Sequence, residues 1–191
     1  MKKWIIGMLA VISILTVSGI HVFADYEEKA FLESISISVP EPEGEYVTRA
    51  EFIKSVLDMV DIPAAGDYEA VFRDVPEDRS DALEIIAAYH AGLINGEPGG
   101  EFRPDDAATT LEAVKILMNI LGYQTYAEEK GGYPLGYLTA ASEIDLIEKS
   151  VDVNSLLTKE RFYFLLAEAL EKPMLVPVTY SGDGVTVRLG E

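Results

Sequence analysis

The chain has 191 residues, 49% of them hydrophobic, and its 33 acidic against 15 basic side chains give a formal net charge of −18. So acidic a chain repels nucleic acid and anionic membranes, which removes both from its expected partners. With no cysteine it has no disulfide framework, thiolate nucleophile or cysteine-based metal site, and its stability must rest on packing.

Lys2 and Lys3 precede an apolar run from Trp4 to Leu15, and Val22-Phe23-Ala24 ends on a small residue. This is the layout of a secretory signal peptide over residues 1–24, with cleavage after Ala24 and a mature N-terminus at Asp25. Cleavage takes away two lysines and no acid, so the exported chain is more acidic still. No second apolar segment reaches spanning length, so no membrane association is expected after cleavage.

A short helix is predicted over Tyr26–Ser34, then a link through Pro40-Glu41-Pro42-Glu43-Gly44, then a helix over Arg49–Asp61 with Pro63 just beyond. The next pair is Asp81–Ala91, stopped by Gly92, and Leu111–Leu121, stopped by Gly122, with a glycine-rich loop between them. A third pair lies near Tyr137–Ile144 and Lys159–Leu170. Beyond Pro173, the runs 174–180 and 185–189 flank Ser181-Gly182-Asp183-Gly184 and read as a β-hairpin or the start of a further domain.

The second helices of the three pairs share one opening. Thr48-Arg49-Ala50-Glu51, Thr109-Thr110-Leu111-Glu112 and Thr158-Lys159-Glu160-Arg161 align on the threonine. Apolar residues then recur in one register: Phe52/Val56/Val60, Ala113/Leu117/Leu121 and Phe162/Leu166/Leu170. A stripe at i, i+4, i+8 marks one buried helix face, and three in register mark an internal repeat. Thr48 with Glu51 and Thr109 with Glu112 have the spacing of capping boxes. In the third copy Arg161 replaces the glutamate, and Thr158 caps alone. Arg49 adds nothing to capping, because an exposed first-turn cation opposes the helix dipole. It reads either as a solvated surface cation or as a binding group, and it is the residue of the motif that invites a functional reading.

These motifs resemble those of S-layer homology domains. Thr48-Arg49-Ala50-Glu51 is similar to the family's signature. Phe72-Arg73-Asp74-Val75-Pro76, Gly92-Leu93-Ile94-Asn95-Gly96 and Gly100-Glu101-Phe102-Arg103-Pro104-Asp105 resemble its opening, turn and loop, and Gly131-Gly132-Tyr133-Pro134 a variant opening. The resemblance runs over roughly residues 26 to 172. It implies a mainly α fold: three two-helix repeats, at residues 25–66, 67–124 and 125–172, packed as a pseudo-trimeric helical domain. Residues 173–191, beyond the resemblance, add the short C-terminal β-hairpin or the start of a further domain.

The function implied is a noncatalytic, secreted, cell-wall or cell-surface anchoring module. Its partner would be a secondary cell-wall polysaccharide attached to peptidoglycan, in some members pyruvylated, whose carboxylate faces the motif arginine. Guanidinium and carboxylate pair as a bidentate fork, and a helix N-terminus would add donors. Residue by residue, Arg49 keeps this group and Lys159 keeps a point charge in the third copy. Thr110 has no charge, and restoring an arginine there is expected to rebuild a second cation. Ser80 stands where the family commonly has a tryptophan. The alternative is a degenerate repeat domain that assembles with other envelope proteins without binding glycan.

Enzymatic chemistry has little support. His90 is the sole histidine outside the signal segment and has no nucleophile motif beside it. Glu97, Glu101, Asp105 and Asp106 lack the alternating spacing of a calcium loop. Acid pairs such as Asp78 and Asp81 arise by chance in so acidic a chain. No metal or cofactor is expected.

Overall fold

The computed structural model describes residues 21–35, 37, 44–66, 69–149, 151–179 and 185–189. The apolar run of the expected signal peptide and most of the Pro40–Gly44 link lie outside these residues. Among the described residues no helix is long and apolar enough to cross a membrane.

The chain is mainly helical. Its elements are α1 (His21–Ser34), α2 (Arg49–Met59), α3 (Ala82–His90), α4 (Thr110–Ile120), α5 (Gln124–Glu129), α6 (Leu135–Glu143) and α7 (Lys159–Glu171), then β1 (Leu175–Thr179) and β2 (Val185–Leu189). The strands pair antiparallel, Leu175 opposite Leu189 and Thr179 opposite Val185, and the Ser181–Gly184 turn lies outside the described residues. α1 begins at His21, upstream of the expected cleavage point.

α2 ends where Asp61 turns left-handed at φ 52, and α3 and α4 end at Gly92 (φ 73) and Gly122 (φ 81). The six-residue α5 has no counterpart in the sequence reading, since one turn and a half leaves no periodicity to detect.

One core gathers the apolar faces. Phe52, Ile53, Val56 and Leu57 of α2, Ala113, Val114, Leu117 and Met118 of α4, and Phe162, Leu165 and Leu166 of α7 are buried in it. Leu170, expected to extend the α7 stripe, is 37% exposed, and its neighbour Ala169 takes the buried position in the last turn of α7.

Helices pair across the expected unit boundaries. α3 packs on α2, α6 on α4, and α1 on α7. The first helix of one unit therefore covers the second helix of the preceding unit, and α1 covers the last helix of the chain. At the centre, three extended residues form a ring of backbone hydrogen bonds. Val47 N donates to Leu157 O (2.9 Å), Leu157 N to Ala108 O (2.7 Å) and Ala108 N to Val47 O (2.9 Å). All three side chains are buried, so each amide is paired where water cannot serve it.

The C-terminal segment docks on the helices. Leu175 N donates to Leu121 O (2.8 Å), and the Tyr123 hydroxyl donates to Pro173 O (3.0 Å). A Cβ at Gly122 would collide with the Leu175 carbonyl, so the close approach requires glycine.

Candidate functional site

Each Thr-led opening places its helix N-terminus beside the central ring. Thr48 Oγ1 accepts from Glu51 N (3.2 Å) while Glu51 Oε2 accepts from Thr48 N (2.7 Å), and Thr109 and Glu112 repeat the exchange at 3.2 and 2.8 Å. Thr158 Oγ1 accepts from Arg161 N at 3.3 Å. The next donors are also taken. Arg49 N and Ala50 N donate to Asp106 O and Pro104 O (2.9 and 3.0 Å), and Thr110 N and Leu111 N to Ser155 O and Val153 O (3.0 and 2.9 Å). The N-termini of α2 and α4 thus have no free amide for an anion, which corrects the expectation that such donors would assist binding.

Arg49 lies in a cleft of about 270 Å³ between the start of α2, the loop 93–97, the face of α4 and Tyr133. Its side chain is only 13% exposed, not the exposed cation expected from a first-turn arginine. Nε donates to Phe102 O (2.8 Å), Nη1 pairs with Glu112 Oε1, and the guanidinium lies over the Phe102 ring, 4.8 Å from its centroid. Glu112 therefore closes its own capping box with one oxygen and holds Arg49, 63 positions away, with the other.

Lys115 also lines the cleft, and its Nζ lies 5.2 Å from the centroid of the ring of Tyr133, a residue 51% exposed. Burial raises the Tyr133 phenol above its ordinary pKa, with the charges of Glu112 and Glu97 adding to it. The cleft thus offers an aromatic face, two cations and the carboxylates Glu97 and Glu112. This chemistry suits a sugar ring with an acidic or polar substituent. Lys115 and Tyr133 were missed in the sequence; the signal available was an aromatic directly after Gly131-Gly132.

Lys159 is half-buried at the first position of α7 and does not line this cleft. Thr110 is 1% exposed, with its hydroxyl 3.3 Å from Ser155 Oγ. An arginine there would have to displace the 153–155 segment, so restoring the cation does not simply rebuild a site, and overpacking works against it. A second cleft, of about 380 Å³, is lined by Tyr46, Val151, Asp152, Ser155, Leu156, Thr158 and Arg161.

Three of the four acidic loop residues are engaged with cations: Glu97 and Asp106 with Arg103 (2.9 and 3.3 Å) and Asp105 with Arg79 (2.6 Å). Among the described residues no group of three or more His, Asp or Glu is placed to hold a metal ion. His90 ends α3 in the open, its ring 5.5 Å from that of Tyr89. Asp81 is bound by Arg79 (2.5 Å).

Residues 71–113 match the family model of the S-layer homology domain. That span contains the Phe72–Val75 opening, the 92–105 turn and loop, and the Thr109–Glu112 cap, whereas Arg49, Lys115 and Tyr133 lie outside it. Over 150 residues the chain is 29% identical to a cell surface protein of Thermoanaerobacter kivui, covering 76% of this chain and 18% of that one. Over 160 residues it is 24% identical to the middle cell wall protein of Brevibacillus brevis, covering 80% and 15%. An exoglucanase of Acetivibrio thermocellus shares 39% identity over 87 residues, 45% of this chain and 8% of the enzyme. The chain spans less than a fifth of the length of these relatives. Residues 71–113 are thus similar to the S-layer homology domain family, and the relatives matched over most of the chain are a cell surface and a cell wall protein.

Proposed function

We propose that this chain is a noncatalytic anchoring module of the bacterial cell surface, docking on a cell-wall polysaccharide through the Arg49 cleft. The family likeness and the cell-surface and cell-wall relatives support wall association. The observation that carries the site is the cleft itself, which a guanidinium, an ammonium group and a half-exposed tyrosine line together. In this reading residues 25–66, 67–124 and 125–172 are three degenerate repeats forming one pseudo-trimeric docking domain, a view supported by the cyclic hydrogen bonds of Val47, Ala108 and Leu157. Residues 173–191, which contain the paired strands β1 and β2, follow it. Lys159 stays a secondary candidate, acting outside this cleft.

The ligand carboxylate, pyruvyl or uronic, would compete with Glu112 for Arg49, so binding exchanges one ion pair for another. Aromatic stacking on Tyr133 then contributes favourable contact that the empty cleft lacks. Binding to native wall sacculi, and loss of binding once the secondary polymer is stripped, is the expected result. Equal retention on stripped walls would contradict it. A second reading, envelope assembly without glycan, draws on the Arg49–Glu112 pair, which already neutralises the cation. It predicts self-association in the absence of polymer.

A further inference from the structure

Asp74 lines no wall of the Arg49 cleft, yet both of its carboxylate oxygens act on the loop that holds Arg49. Oδ1 accepts from the Phe102 amide (2.8 Å) and Oδ2 from the Arg103 amide (2.6 Å). Two successive amides converge on one carboxylate where Arg103 adopts a left-handed φ of 58, a conformation a non-glycine residue rarely keeps without such support. Phe102 then faces Arg49 twice, accepting from Nε at 2.8 Å and lying beneath the guanidinium at 4.8 Å. Phe72, two residues before Asp74, packs on the other side of that ring, with centroids 5.5 Å apart.

We infer that Asp74 is a positioning residue for Arg49, fixing the Phe102 carbonyl and ring so that the guanidinium is held in the cleft in one orientation. This deepens the proposed function and rests on it only for the wall-binding consequence. A second carboxylate anchor of the loop, Asp105 to Arg79, bonds neither the Phe102 amide nor the Arg103 amide and serves as the control. Asp74→Asn keeps the volume, removes one acceptor and turns an amide donor toward a backbone donor.

The test uses the full chain labelled with 15N at arginine, following solvent exchange of the Arg49 Nε–H together with sacculus binding. In Asp74→Asn that exchange should accelerate about tenfold or more, because a bond to a charged group is weakened. Asp105→Asn should leave it near the wild-type rate. On sacculi, Asp74→Asn combined with Arg49→Ala should bind no worse than Arg49→Ala alone, since both act through one group. If Asp74→Asn does not fold, Asp74→Glu, which keeps the charge but shifts the carboxylate by one methylene, carries the same comparison. Wild-type exchange at Arg49 in a folded Asp74 variant overturns the inference. Accelerated exchange, together with equal wall binding by wild type and Arg49→Ala, supports the positioning role and refutes the proposed function instead.

Discussion

Arg49 and Thr48 are adjacent, but their side chains answer to different constraints. Thr48 serves its own helix, exchanging bonds with Glu51. Thr48→Ala removes one acceptor and should cost about 1 kcal/mol, measured as a shift in the urea midpoint with unchanged slope. A loss under a few tenths would mean that water replaces the cap. Arg49 ties α2 to Phe102 and Glu112, so it is structural as well as a candidate ligand group. Truncating it leaves Glu112 with only its capping bonds and should lower stability measurably, which a sequence reading of a solvated cation does not predict. The caps were legible because their partners are three residues away. Arg49's partners were not, because Phe102 and Glu112 are 53 and 63 positions distant.

At the scale of elements, the α4 face is the most completely buried, with Ala113, Val114, Leu117 and Met118 all inside. Leu117→Ala should cost about 2–5 kcal/mol in equilibrium unfolding, the range for a core cavity. An effect as mild as that of the Thr48 change would place Leu117 outside the core. The loop 97–106 is held by carboxylates and should be sensitive to acid. Burial works against the charge on Asp74, but the amides of Phe102 and Arg103 outweigh it and hold its carboxyl below the ordinary value of 3.8. The Arg79 hydrogen bond does the same for Asp105. Groups with depressed folded pKa contribute stability that is present above the ordinary carboxylate value and lost as pH falls through the folded value. Because at neutral pH the protein carries strong self-repulsion, lowering the pH toward the isoelectric point of about 4.4 should first raise the melting temperature. Below pH 4 it should fall steeply. A monotonic fall from pH 7 would show that global charge does not limit stability.

For the whole molecule, the ring of Val47, Ala108 and Leu157 and the pairing of α3 with α2, α6 with α4 and α1 with α7 make the units mutually dependent. Residues 67–124 expressed alone would contain α3 without its partner α2 and should show little helical circular dichroism, whereas residues 25–172 should unfold in one transition. A stable, helical 67–124 fragment would show that the units fold independently. The second helices were readable from sequence because each carries its own stripe and cap. The exchange of partners between units was not, since periodicity gives a face and never the identity of what covers it. Tyr133 and Lys115 escaped for the same reason: nothing local says that the opening of one unit lies over a helix of another.

Retention on native sacculi of wild type, Tyr133→Ala and Arg49→Ala measures most directly whether a wall polymer docks in the Arg49 cleft. Tyr133→Ala is the cleaner variant, because the residue is half exposed and its ring meets the core only edge-on at Tyr137, 6.2 Å between centroids. The account predicts that all three stay folded at the assay temperature, that Tyr133→Ala weakens binding by about 1–3 kcal/mol and Arg49→Ala by about 2–4 kcal/mol, and that stripped walls retain none of them. Folded variants that bind native walls as tightly as wild type would contradict it.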